Sequence, residues 1–225
     1  MGIRNIIFSE GEFYHIYNRG TDKRIIFDEK RDYLRFITLL YLCNNTEKIH
    51  INEYAKKGFN LLSLLKVQKE NTLVEIGAYC LMPNHFHLLI REKVEGGISN
   101  FMQKLATAYS MYYNSKYQRT GSLFEGKFKA THVAKDNYLE YLFAYIHLNP
   151  VKLIDSKWKE NGIKDKKKTK KFLENYEYSS YLDFIGKNNR IEEKILDGKN
   201  FPNYFETFEE FNKFVDEWLS FEEEK

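Results

Sequence analysis

The sequence predicts an α+β fold: an antiparallel sheet with helices on one face and a helical extension at the C-terminal end. Three observations carry this expectation. Runs rich in aromatic and β-branched residues lie at 13–18, 73–81, 85–91 and 122–134. Apolar residues at helical spacing fill two of the gaps between these runs and a third stretch after the last one. The first six elements therefore follow the order strand, helix, strand, strand, helix, strand, which is the ferredoxin-like (RRM-like) pattern.

Each element has a local reason. Phe13-Tyr14-His15-Ile16-Tyr17-Asn18 is a first strand closed by Arg19-Gly20. Asp28 is placed as the cap of a helix whose stripe is Tyr33, Phe36, Ile37 and Leu40, with Asn44-Asn45 at its end. Residues 46–70 read as an insertion, in which 58–65 is either a short helix or a hairpin arm. Residues 73–81 and 85–91 form a hairpin about Met82-Pro83-Asn84, because proline cannot donate to a ladder and asparagine favours turns. After Gly96-Gly97, a helix carries Ile98, Met102, Leu105, Tyr109 and Tyr112 on one face and ends at Arg119-Thr120-Gly121. Residues 122–134 are extended. Asp136 is placed as the cap of a helix that runs to Leu148 and is stopped near Pro150. The tail from 201 is helical, with Phe208, Phe211, Phe214, Val215 and Trp218 as its apolar face. The chain thus divides into a main domain over 1–186 and an acidic, helical extension over 187–225.

A net charge of +3 does not by itself announce a nucleic-acid binder, but its distribution is uneven. Residues 157–171 hold eight Lys against two acids and read as a basic loop, whereas the tail is acidic. Cys43 and Cys80 lie in unrelated contexts, so neither a disulfide framework nor a thiolate metal site is expected, and both read as buried thiols in a reducing compartment. No apolar run is long enough to span a bilayer, which predicts a soluble intracellular protein with no membrane partner.

The chemistry concentrates in two places. In His85-Phe86-His87 the alternation of a strand puts both imidazoles on one face, where they can hold a divalent ion if further ligands join them. Alone, such a pair is more often two histidines on a half-exposed sheet. On the helix 136–148, positions four apart share a face, so Tyr141, Tyr145 and Asn149 form a line. A phenol one turn from an amide suits a single site with a nucleophile and a neutral oxygen ligand. Core packing is the simpler use of Tyr138 and Tyr141.

Four strings occur in fixed order: Tyr14-His15-Ile16-Tyr17-Asn18-Arg19-Gly20, Met82-Pro83-Asn84-His85-Phe86-His87-Leu88-Leu89, Arg119-Thr120-Gly121-Ser122-Leu123-Phe124-Glu125-Gly126 and Tyr145-Ile146-His147-Leu148-Asn149-Pro150-Val151. Together they resemble the HUH single-tyrosine transposases of the IS200-like family, in particular those associated with REP elements, over residues 8–184. The resemblance implies a ferredoxin-like core and Tyr145 as the nucleophile. It further implies His85 and His87 as ligands of Mg²⁺ or Mn²⁺, with Asn149 as a third, amide ligand. It implies metal-dependent cleavage and strand transfer of single-stranded DNA beside a hairpin, through a 5′-phosphotyrosine. Such an enzyme works in the bacterial cytoplasm at the nucleoid, as a monomer or a homodimer. No Gly-Lys-Ser/Thr phosphate loop is present, and a covalent intermediate that conserves the phosphodiester requires no nucleotide cofactor. Candidates for DNA contact flank the strings: Tyr14, Asn18, Arg19, Lys104, Arg119, Thr120, Lys127 and Lys129. Two other readings use the same layout, an RRM-type binding module without catalysis and a metal-dependent hydrolase without a covalent step.

Overall fold

A computed structural model describes residues 6–47, 53, 60–69, 71–186, 190–197, 200–202, 204 and 207–220. Four strands, β1 (Phe13–Arg19), β2 (Val74–Met82), β3 (His85–Glu92) and β4 (Lys129–His132), pair in the order β2-β3-β1-β4. Every neighbouring pair is antiparallel. Helix α1 (Lys30–Cys43) follows β1 and α2 (Gly97–Lys116) follows β3, which is the predicted ferredoxin-like arrangement.

Strand alternation sorts the side chains into two layers. Tyr14, Ile16, Phe86, Leu88 and Ile90 face α1 and α2, and pack with Phe36, Ile37, Leu40, Phe101, Leu105 and Tyr109. Helix α3 (Asp136–Leu148) lies against the opposite face, where Ala78, Cys80, Met82 and Leu89 receive Leu139, Leu142, Phe143 and Ile146. The small side chains of Ala78 and Cys80 let this helix approach. Helix α7 (Phe208–Ser220) joins the same layer through Phe211, Phe214, Val215 and Leu219. The sheet's opposite face is therefore also covered, in part by the C-terminal segment. Gly77 permits a bulge in β2 and a close approach of Phe201, whose ring lies 2.4 Å from where a Cβ would sit.

Several local expectations need correction. Glu29, not Asp28, caps α1, in a reciprocal capping box with Asp32, while Asp28 accepts a hydrogen bond from the Tyr113 hydroxyl at 2.6 Å. Tyr113 rather than Tyr112 is the buried tyrosine at that end of α2. Lys135 takes the cap position of α3, and Asp136 sits in its first turn. Within 122–134 only Lys129–His132 is a strand; Phe124 makes one isolated bridge to Gly20, and Gly121 and Gly126 turn the chain at positive φ. The lysine-rich stretch is not a loop. It forms α4 (Trp158–Asn161) and α5 (Lys166–Leu173); α5 buries Thr169 and Leu173 on one side and exposes Lys166, Lys167, Lys168 and Lys171 on the other, with Lys170 paired to Asp216. A four-residue helix, α6 (Tyr181–Phe184), precedes the extension. In α7 Phe208 is half exposed, and Leu219 supplies the buried end of the stripe. Of the 46–70 segment, 48–52, 54–59 and 70 lie outside the described residues, and Leu62–Lys66 is a 3-10 turn that buries Leu64 and Leu65.

Asp32 ties α1 to α2. Its fully buried carboxylate accepts hydrogen bonds from the Tyr112 and Tyr117 hydroxyls (2.8 and 2.7 Å) and from Lys116 (2.5 Å). The backbone amide of Asp28 donates to it as well, at 3.0 Å. Burial pushes its pKa up, but the hydrogen bonds from Lys116, Tyr117 and Tyr112 together outweigh burial and hold it below the usual carboxylate value. Asp32→Ala leaves Lys116 with Glu29 alone, takes the acceptor from two hydroxyls and removes half of the capping box, and is expected to destabilise the fold by about 2–4 kcal/mol, read from the urea unfolding midpoint. A depressed native pKa stabilises above the unfolded value of about 3.9 and ceases to as the pH falls through the native value. The stability gap between wild type and variant should therefore begin to narrow below about pH 4 and lose its ionisation-linked part as the pH passes the native value.

Candidate active site

The pairing of β1 with β3 assembles the site. Its register sets Tyr17 opposite His87 and Arg19 opposite His85, and alternation points His15, Tyr17, His85 and His87 to the α3 face. The rings of His85 and His87 are perpendicular, with centroids 5.0 Å apart. The Nδ1 of His85 lies 2.6 Å from Asn84 Oδ1. Asn84 can only accept there, so His85 carries its proton on Nδ1 and keeps the Nε2 lone pair. The Nδ1 of His87 lies 2.8 Å from Nε2 of His15, both groups being buried.

Helix α3 sets Tyr145 above these imidazoles, its ring centroid 5.4 Å from His87 and 6.0 Å from His15. Asn149 follows one turn later and is 1% exposed. Burial raises the Tyr145 pKa, and the Asn149 amide acts against that rise by favouring the phenolate. Burial also lowers the His85 pKa to about 4, opposed by Asn149 and reinforced by Lys152 and Arg19, so the imidazole is neutral at pH 7.

Among the described residues no three His, Cys, Asp or Glu side chains cluster as a metal site. A cation here needs a ligand of another kind, and Asn149 has one to offer. Its carboxamide Oδ1 is buried and makes no hydrogen bond of good geometry. The imidazoles of His85 and His87 and an amide oxygen with no hydrogen bond fit a divalent cation that takes its remaining ligands from water or phosphate.

These groups open into a cleft of about 300 Å³ whose rim carries Arg19, Lys23, Lys129 and Lys152. Arg19 is forked onto Glu125, with Nη2 to Oε1 at 2.9 Å and a closer Nε contact. The cleft thus sets positive charge beside the Tyr145 phenol, an arrangement suited to a phosphodiester.

The fold brings Tyr145, His85, His87, Asn149, Asn18, Arg19 and Lys129 to one place. It does not bring the rest. Tyr14 is 1% exposed and faces the helices, its hydroxyl bonded to Ser9 N at 2.9 Å, so it cannot touch DNA. Lys104 is on α2, beyond the opposite face of the sheet, and donates to the carbonyl of Asn45 at 2.6 Å. Arg119 and Thr120 follow the C-terminal end of α2, outside the cleft lining, with Arg119 bonded to Asn114 at 3.3 Å. Lys127 lines a different cavity. His15, Lys23 and Lys152 are additions to the site. Alternation from Tyr17 marks the face of His15, and Lys152 stands three residues beyond Asn149.

The family described as transposase IS200 like matches residues 14–149, more than half of the 225. The chain belongs to the IS200-like transposase family. The matched segment of this IS200-like transposase contains His15, His85, His87, Tyr145 and Asn149. No curated protein matches it. Its structure is similar to a solved structure of a REP-associated tyrosine transposase bound to a REP hairpin, at TM-score 0.49 and 11% identity, over 85% of this chain and 90% of that one. No helix among the described residues is long and apolar enough to cross a membrane.

His15 gives this transposase a partner that orients His87. His15→Leu comes close to the volume of the imidazole and removes the bond to Nδ1. The expected result is Mn²⁺ binding weaker by about 10–100-fold with folding intact, measured by calorimetry without DNA.

Proposed function

We propose that this IS200-like transposase cuts and rejoins single-stranded DNA beside hairpins through a covalent 5′-phosphotyrosine on Tyr145, with Mg²⁺ or Mn²⁺ held by His85, His87 and Asn149. The observation that carries the reading is the position of Tyr145, over the histidine pair of its own chain with Asn149 beside both. One chain therefore holds a whole site, and a monomer suffices for cleavage.

The chain's residues supply most of the chemistry. Arg19, Lys23, Lys129 and Lys152 draw the strand's phosphates into the cleft and hold them there. Tyr145 Oη attacks the phosphorus, a P–Oη bond forms, and the bond to the 3′ oxygen breaks. The phenol, neutral near pH 7, gives up its proton as it attacks; the departing 3′ oxygen gains one and leaves as a hydroxyl. The Asn149 amide steadies the phenolate that develops. A divalent cation bound at the histidines and Asn149 would offset the charge building on the phosphate oxygens. Rejoining is the reverse attack by a 3′-hydroxyl, and the conserved phosphodiester energy makes ATP unnecessary.

The test incubates the protein with Mn²⁺ and end-labelled DNA hairpins that carry single-stranded flanks. A denaturing gel should show a slow protein–DNA adduct that chelator abolishes. Cleavage products without any adduct would replace this reading with hydrolysis by bound water.

A further inference from the structure

On the other side of the sheet edge lies a second cavity, of about 500 Å³, between α2 and the chain that leads into β4. Its walls are aromatic: Phe86 stands edge-on to Phe124 with centroids 6.0 Å apart, and Phe128 completes the lining. Its rim is polar. Gln103 stands exposed on α2, and Lys127 is exposed at the other lip. Asn18 lines both this cavity and the cleft of Tyr145, and its side chain is fixed between the two, with Nδ2 donating to Gly126 O (3.3 Å) and Oδ1 accepting from Arg19 N (2.9 Å). Residues 125–129 run along the boundary, with Glu125 and Lys129 in the cleft and Gly126 and Lys127 in the cavity.

We infer that this cavity takes one unpaired nucleobase of the DNA strand whose backbone occupies the cleft, so that it selects the cleavage site by base. The inference rests on the DNA-cutting reading above and adds a specificity site to it. A nucleobase has apolar faces and a polar edge, and the cavity has phenylalanine walls with an amide on its rim. The volume lies in the range of pockets that enclose a small ligand. Continuity decides the occupant: the cleft and the cavity share Asn18 and adjoin along residues 125–129, so a strand lying against Arg19 and Lys129 leads past Gly126 toward Lys127. A base still paired in a stem has its Watson–Crick edge bonded and its faces stacked and cannot insert, so the occupant is a flank or loop nucleotide.

The test is fluorescence anisotropy in chelator, where no cutting occurs, with labelled oligo(dT), oligo(dA), oligo(dC) and an all-abasic strand of equal length. Wild type should bind its preferred base-bearing strand at least about tenfold more tightly than the abasic one, the size of one base stacked on aromatic rings. Ala106, which also lines the cavity, is replaced in Ala106→Phe to fill it. That variant should bind the abasic strand as wild type does and lose the preference for bases. Gln103→Ala, an exposed change that leaves the core alone, should flatten the ranking among the three homopolymers, and it decides the matter if Ala106→Phe does not fold. A base preference that survives in both variants overturns the cavity's role, as does equal binding of abasic and base-bearing strands by wild type. Failure to bind any strand would instead remove the DNA-cutting reading and this site with it.

Discussion

Tyr145→Phe is expected to abolish covalent capture of DNA while leaving DNA binding and folding intact. The substitution removes one oxygen and keeps the ring, whose edge contacts with His87 and His15 persist. The lost interaction with Asn149 is a single hydrogen bond, so the stability change should stay within about 1 kcal/mol. The chemical change is of another order. Removing a nucleophile lowers turnover on the order of a million-fold where it has been measured in an acyl-transfer enzyme. Under the proposed mechanism it also removes the atom to which the DNA becomes attached. Tyr141 supplies the control. It lies one turn earlier on α3, its ring nearly parallel to that of Tyr145 at 6.1 Å, yet it is 40% exposed and lies outside the cleft. Tyr141→Phe should therefore keep the adduct. Loss of the adduct in Tyr141→Phe and its survival in Tyr145→Phe would shift the assignment by one helical turn.

The sequence made the lines of this site legible but not their crossing. Alternation alone put His85 and His87 on one face, and the spacing of Tyr145 and Asn149 put both on one side of a helix whose limits Leu148 and Pro150 mark. Those are local properties of a strand and a helix. Which face of the sheet α3 would choose is not local. Leu139, Leu142, Phe143 and Ile146 would suit either face, and the choice rests on the small Ala78 and Cys80, together with the cover that α1 and α2 already give the other side. His15 escaped for a related reason. Its contact with His87 spans 72 residues and depends on strand register, which a hairpin turn reveals for β2 and β3 but nothing local reveals for β1 and β3. Tyr14 was misplaced by the same ignorance, since the face of β1 that buries is known only once the helices are in place. The caps went wrong by single residues because Asp28 and Glu29, or Lys135 and Asp136, are adjacent polar residues and only the backbone tells which one stands at the boundary.

The second large effect concerns the cation site. His85→Ala combined with His87→Ala should abolish both the adduct and the binding of Mn²⁺ measured without DNA, because the described residues offer no three-member His, Cys, Asp or Glu cluster to replace the lost ligands. Folding should survive. His85 is half-buried at the edge of the cleft, and the interactions given up are chiefly the bonds from His87 to His15 and from His85 to Asn84 and the ring contact of His87 with Tyr145, none of them part of the two apolar layers. Asn149 separates a metal role from a packing role. Asn149→Ala deletes Oδ1 and should lower Mn²⁺ affinity, whereas Asn149→Leu tests the same loss with the branching of the side chain kept. Asn149→Asp places a carboxylate at that point. With a cation present the added charge is compensated, so Mn²⁺ affinity should equal or exceed that of wild type. Without one, a buried, uncompensated carboxylate beside Tyr145 should destabilise the apoprotein. A variant whose thermal stability falls in chelator and recovers with Mn²⁺ is thus the signature of an oxygen ligand at position 149. Equal destabilisation in both conditions would mean that the amide serves Tyr145 alone and that the cation, if one binds, sits elsewhere.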